Sequence, residues 1–258
     1  MTLARIDDQS DRVVVVNMNP KRRGALSPDL YAAVHQAVAL AAEPRIRAVI
    51  LTSEGGFFCA GGDLNTLIER RKLTEPERRD KIDGLHGVVR ALRACPVPVI
   101  AAVEGGAAGA GMSIALACDL VVAAAGAKFT ASYVKAGLVP DGGLTASLAR
   151  MLPRPLAMEL CLLARPVEAE RMAQLGVVNL VVPEGETEAQ AHALADTLAT
   201  GPREAQSVIR SLVSSAYGTS ESAQLDLERD AMAQAQGGAE AGEGISAFLE
   251  KRKPDFSK

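Results

Sequence analysis

The chain has 258 residues, a net charge of −3, 48% hydrophobic and 23% charged residues, enough to bury a large core and inconsistent with intrinsic disorder. The small negative charge gives no general attraction to nucleic acid or anionic membrane, and no apolar run of about 18 residues is present to span a bilayer. The first residues, MTLARIDDQSDR, carry acids where a secretory leader needs an apolar segment, so a cytoplasmic protein acting on small partners is expected. Cys59, Cys95, Cys118 and Cys161 form no CxxC pair, which predicts reduced, mostly buried thiols with neither a metal site nor a disulfide scaffold.

In chain order, a short strand, the turn-rich DDQSD and the β-branched run Val13 to Asn17 predict a hairpin ending before Pro20. A basic stretch, Lys21 to Arg23, leads to a helix with Ser27 as N-cap, Pro28 as first helical residue and Leu30, Val34, Ala37 and Val38 on its apolar face. Arg47 to Thr52 reads as a buried strand, SEGGFFCAGGD as a glycine-rich loop, and a helix is predicted to start near Asp63. The alternation continues with a polar helix over roughly Glu75 to Arg93, the strand PVIAAVEG, the small-residue segment GAAGAGMSIALACD and the strand DLVVAAA. Broken helices lead to the strand VVNLVVP, and from Thr187 onward only helical patterns remain. The fold class is therefore α/β with a helical C-terminal part.

Three chemistries compete for GGAAGAGMSIA. A phosphate loop fails because Met112 replaces the lysine that meets phosphate charge, and the spacing of Gly109 and Gly111 is not that of a dinucleotide fingerprint. A hydrolase triad of Ser113, Asp141 and His192 has the expected chain order, but Ala115 stands where the nucleophile elbow needs glycine, and His192 lies in a well-patterned helix, as His35 and His86 do. The third reading pairs this segment with FFCAGGDL: two small-residue loops, each entering a helix, whose free N–H groups can face a developing oxyanion. Close packing of small residues explains either loop equally well. Asp141, in GLVPDGG, is likewise open to two readings: Asp between Pro and Gly suits a turn, and a carboxylate beside the apolar Leu138, Val139 and Leu144 suits a group that shuttles a proton.

Taken together, NPKRRGAL, VILTSEGGFFCAGGDL, PVPVIAAVEGGAAGAGMSIALACDLVVAAAGAKF, GLVPDGGLTASLARMLPR, ARPVEAERMAQLGVVNLVVP and the tail EGISAFLEKRKPDF resemble the crotonase superfamily, the enoyl-CoA hydratase/isomerase family, almost from end to end. The resemblance implies a crotonase-type spiral of repeated strand-strand-helix units over residues 1–195 and a helical trimerisation region over 196–258. It also implies a homotrimer or hexamer and an acyl-CoA thioester substrate, with coenzyme A as part of that substrate and no separate cofactor.

By position, the resemblance makes Ala60 and Ala110 the backbone oxyanion donors. It assigns substrate contacts to Arg22, Ala25, Ala60, Gly61, Gly62, Asp63, Leu64, Ser113 and Tyr133, and from the tail to Phe248 and Lys251. The two glutamates with which hydratases of the family hold water correspond to Ser113 and Tyr133, neither of which is a carboxylate base. Asp141 matches the single acid of members that move a double bond. The implied reaction is therefore conversion of a 3-enoyl-CoA to a 2-enoyl-CoA with Asp141 as acid and base. Hydration of a 2-enoyl-CoA and acyl-CoA binding without catalysis are the alternatives. Glu104, Asp119 and Cys59 are read as structural, and an aromatic content of 3% with no Trp offers no stacking platform for an aromatic acyl group.

Overall fold

The computed structural model describes residues 2–256, and its chain opens with the expected hairpin: β1 (Ala4–Asp8) pairs antiparallel with β2 (Arg12–Asn17). There follow α1 (Pro28–Leu40), β3 (Ala48–Ser53), α2 (Leu64–Arg70), α3 (Glu75–Ala94), β4 (Val99–Val103), β5 (Gly106–Ala108), α4 (Ala110–Ala115), β6 (Leu120–Ala124) and β7 (Lys128–Thr130). Next come α5 (Leu144–Met151), α6 (Arg154–Leu163), β8 (Val167–Glu168), α7 (Ala169–Gln174) and β9 (Leu180–Val182). Four helices end the chain: α8 (Thr187–Ala199), α9 (Arg203–Ser215), α10 (Glu221–Gln236) and α11 (Ala239–Leu249).

Local chemistry sets the helix starts. Ser27 Oγ accepts from the Leu30 amide at 3.2 Å and opens α1, with Pro28 at its first position. Thr74 and Glu77 form a capping box at the head of α3.

Six strands form one sheet in the order β1-β2-β3-β4-β6-β9, parallel from β2 onward. Parallel strands need crossovers, and a sheet covered on both faces favours continuous apolar runs over alternation. Alternate residues of β2 accordingly enter different cores. Val13 and Val15 join Val49, Leu51 and the residues of α1, α3, α4 and α5, whereas Val14 and Val16 join Ile50, Ile100 and Val122 against Ala191 and Ala195 of α8. Because α8 packs under the main sheet, the division at 195/196 falls inside it, and helices without a buried contribution to either sheet begin at α9.

A second sheet, β5-β7-β8, is not anticipated by the sequence reading, which has a small-residue segment and broken helices there. Strands of two or three residues are too short to show a period-2 pattern. This small sheet supports the glycine-rich loops.

Helix α9 is held to the core through arginines that meet carbonyls at and beyond the C-terminal ends of α1 and α3. Arg203 donates to the carbonyls of Ala41 and Ile46 beyond α1, and Arg210 to those of Leu92 and Cys95 at the end of α3, while Arg210 Nε also pairs with Asp119 at 2.7 Å. Asp119 accepts from the Val99 amide as well, so it is a structural acid. Arg210→Ala is expected to lower stability by about 2 kcal/mol through loss of charge-assisted bonds, read as a lower urea midpoint at unchanged slope. Large apolar side chains on α9–α11 face outward, among them Ile209, Val213, Leu225 and Phe248. No helix among the described residues is long and apolar enough to cross a membrane.

Candidate active site

The two glycine-rich loops do converge. Cys59 forms a parallel bridge with Ala107 of β5; its carbonyl accepts from the Ala108 amide at 2.9 Å, and its own amide reaches the Gly106 carbonyl at 3.4 Å. This seam brings Ala60–Leu64 against the start of α4. Gly61 has φ +88°, and a Cβ there would lie 3.0 Å from the Ala110 nitrogen. The N-terminal segment joins on the other side: Leu26 donates to the Gly61 carbonyl at 2.9 Å, Arg22 ion-pairs with Asp63, and Asp63 caps α2 through the Asn65 amide. Arg22, Ala25 and residues 60–64 are thus one assembly, with Leu64 exposed beside it.

The two expected oxyanion donors differ. Ala110 is the first residue of α4, and its amide has no acceptor among the described residues. The Ala60 amide donates to the Arg23 carbonyl at 2.9 Å. Arg23 has φ +50° at the end of the turn Pro20–Arg22, and its guanidinium lies 3.9 Å from the centre of the Phe57 ring. Those two constraints aim its carbonyl at Ala60. A left-handed cap is usually glycine or asparagine, so nothing in the local sequence signals it at Arg23.

Asp141 is both a turn residue and a held carboxylate. Gly142 and Gly143 on its C-terminal side have φ +59° and +76°, and a Cβ on Gly142 would lie 2.9 Å from Cβ of Ser113. The turn therefore rests on Ser113, which is fully buried on α4. Ser113 Oγ donates to the Asp141 carbonyl at 2.9 Å and lies 3.1 Å from the Tyr133 oxygen. Tyr133, on the short turn Ser132–Ala136, reaches Asp141 Oδ1 at 2.8 Å. Burial and then the Asp141 charge push the Tyr133 phenol well above its ordinary value, so it stays protonated and donates.

Ser113 and Tyr133, which the resemblance places at the positions of two family glutamates, are thus gathered around Asp141. The apolar enclosure expected from Leu138, Val139 and Leu144 is only partly present. Leu144 is buried, whereas Leu138 and Val139 point outward because the segment leaves the core between Gly137 and Pro140.

Several candidates lie elsewhere. His192 sits on α8 beneath the main sheet, where it meets Arg12, so the Ser113–Asp141–His192 triad does not exist. Glu104 accepts from the Gly185 amide and the Thr187 hydroxyl, tying down the start of α8. Cys59 is fully enclosed, and burial pushes its thiol up to about 12, which makes it inert. Phe248 and Lys251 are exposed, and the backbone bond between them runs within the C-terminal helical region.

Two residues near Asp141 were not singled out from the sequence. Burial, and less strongly the Asp141 charge, push the phenol of Tyr31 on α1 up to about 12. Arg93 of α3 is half-buried beside Gly143 and donates to Ser147 Oγ at 3.0 Å. Neither lies in a motif, which is why periodicity gave only their helices.

Comparison with known proteins agrees across the chain. A family model described as Enoyl-CoA hydratase/isomerase matches residues 8–258. The chain is 37% identical to 1,2-epoxyphenylacetyl-CoA isomerase of Escherichia coli K12, with 95% of each covered. It is 36% identical to a probable enoyl-CoA hydratase of Rhodobacter capsulatus, covering 96% of this chain and 92% of the relative. A crystal structure of an enoyl-CoA hydratase from Polaromonas sp. JS666 superposes with a TM-score of 0.95 at 42% identity, 98% of each chain being covered.

Proposed function

This chain belongs to the enoyl-CoA hydratase/isomerase family and is an acyl-CoA enzyme, and we propose that it moves a double bond, converting a 3-enoyl-CoA to a 2-enoyl-CoA. The observation that carries this reading is the Ser113–Tyr133–Asp141 cluster: a single carboxylate faces two neutral hydroxyls where a water-activating pair of acids would be needed. The other acids near the loops are committed, Asp63 to Arg22 and the α2 cap, Glu104 to the head of α8.

In this mechanism the Asp141 carboxylate removes a proton from C2. The electron pair moves onto the thioester oxygen as an enolate, and the same acid returns the proton at C4, leaving the double bond between C2 and C3 with no net change in mass. The Ala110 amide is the open donor for the enolate oxygen. Ala60 becomes the second when it exchanges the Arg23 carbonyl for that oxygen. Each preorganised donor contributes about 3 to 4 kcal/mol of transition-state stabilisation in comparable sites. Arg22, Ala25 and the segment 60–64 form the coenzyme A side of the site. In the assembled homotrimer or hexamer, Phe248 and Lys251 complete the acyl-CoA pocket.

Parallel incubation with a 3-enoyl-CoA and a 2-enoyl-CoA tests the reaction, followed by mass spectrometry and by absorbance of the conjugated thioester. Growth of the conjugated signal at unchanged mass is the expected result. A gain of one water from the 2-enoyl substrate would replace this reading by hydration, and tight binding with no conversion would reduce the protein to an acyl-CoA binder.

The outward apolar residues of α9–α11 support assembly. Light scattering is expected to give three or six times the chain mass. Charging one turn of α9 with Ile209→Asp and Val213→Asp is expected to lower that mass; an unchanged assembly would remove α9 from the interface.

A further inference from the structure

We infer that Tyr133 is a positioning residue for the double-bond shift: its phenol fixes Asp141 through Oδ1, while Ser113 holds the Asp141 carbonyl, and Oδ2 is left to take and return the substrate proton. The inference rests on the reading of Asp141 as the acid and base.

The geometry argues for it at three levels. First, Asp141 is carried by a turn whose next two residues are left-handed glycines, and such a backbone does little to restrict the side chain it presents. Something else must hold the carboxylate, and proton transfer is sensitive to misplacement on the scale of an ångström. Second, the hold is directional. A carboxylate only accepts, so the neutral phenol must donate, and the 2.8 Å contact occupies Oδ1. Asp141 Oδ2 has no hydrogen-bond partner among the described residues, which leaves one oxygen with a free lone pair and a fixed direction.

Third, the brace is anchored to the same helix that carries the open oxyanion donor. Ser113 stands three residues after Ala110 on α4, fully buried, and bonds to the Asp141 carbonyl. The Tyr133 ring also borders Gly109, where an added Cβ would lie 3.9 Å from Cε2. The amide that receives the enolate oxygen and the carboxylate that moves the proton are thereby held in one register. The residues at positions 113 and 133 do not replace the lost water-activating acids; they serve the carboxylate that remains.

The groups around Asp141 include Tyr133 from the short turn and, beside Gly143, Arg93 from α3; α4 contributes the uncharged Ser113, and the Asp141 charge is also felt at Tyr31 of α1.

The test compares Tyr133→Phe, Ser113→Ala and Asp141→Asn on a 3-enoyl-CoA, with steady-state constants and melting temperatures for each. For Tyr133→Phe, kcat is expected to fall about 10- to 100-fold, the loss of one hydrogen bond to a charged group, with KM and melting temperature nearly unchanged. That split, kcat without KM or stability, is what a merely structural residue would not give. Ser113→Ala should lower kcat in the same way by less, and it decides the matter if the phenylalanine variant does not fold. An inactive Asp141→Asn beside variants at 113 and 133 with wild-type kcat would overturn the positioning role alone. Activity retained by Asp141→Asn would instead overturn the proposed acid and base.

Discussion

Asp141→Asn is expected to lower kcat on a 3-enoyl-CoA by about 100- to 10,000-fold, the usual contribution of a positioned general acid and base, while acyl-CoA affinity changes little. The amide preserves size and turn geometry. Its backbone carbonyl still accepts from Ser113 and from the Leu144 amide, so the turn keeps its anchors. Under the proposed mechanism it loses the oxygen that carries a proton from C2 to C4. Binding is expected to be spared because the proposed coenzyme A contacts, Arg22, Ala25 and the 60–64 segment, lie on other segments of the chain. Calorimetric titration with a non-isomerisable acyl-CoA separates the two quantities. Full activity in this variant would remove Asp141 from the chemistry, and loss of binding together with turnover would mark it as a structural turn residue.

Gly111→Ala is expected to cost about 3 kcal/mol of stability, seen as a fall in melting temperature of about 6 to 12 °C. A methyl group at this position would sit 2.2 Å from the Cys59 carbonyl oxygen and 2.7 Å from Cys59 Cβ. Cys59 cannot step aside, since its carbonyl is bonded to Ala108 and its side chain is enclosed in the core. Helix α4 would have to lift away from the 59–61 loop, which separates Ala110 from Ala60 and should lower activity along with stability. Gly242→Ala is the control: in α11 an added Cβ meets nothing within 4 Å, so a neutral effect or a gain of up to about 1 kcal/mol is expected. Equal melting temperatures for the two variants would refute the close approach of the loops.

Much of the fold is legible along the chain because its elements are long and strongly patterned. The β-branched runs that became β2 and β3, the Ser27–Pro28 start of α1 and the Asp63 cap of α2 are signalled by residues adjacent in sequence. The small sheet is not, since two or three residues cannot display a period. The candidate site divides in the same way. FFCAGGDL, GGAAGAGM and GLVPDGG mark where small residues and one acid occur, but not which groups they meet.

Sequence by itself therefore determined the α/β class, the order of the main strands and helices, the two glycine-rich loops and the singular place of Asp141. These depend on side-chain periodicity, turn chemistry and local caps, all of which act within a few residues. Only the tertiary structure decided that Tyr133 and Ser113 hold Asp141, that the Arg23 carbonyl occupies the Ala60 amide, and that His192 lies on the far face of the sheet. Those outcomes are hydrogen bonds between residues 8 to 180 positions apart, and their partners are chosen by how strands and helices stack, a choice that no local pattern records.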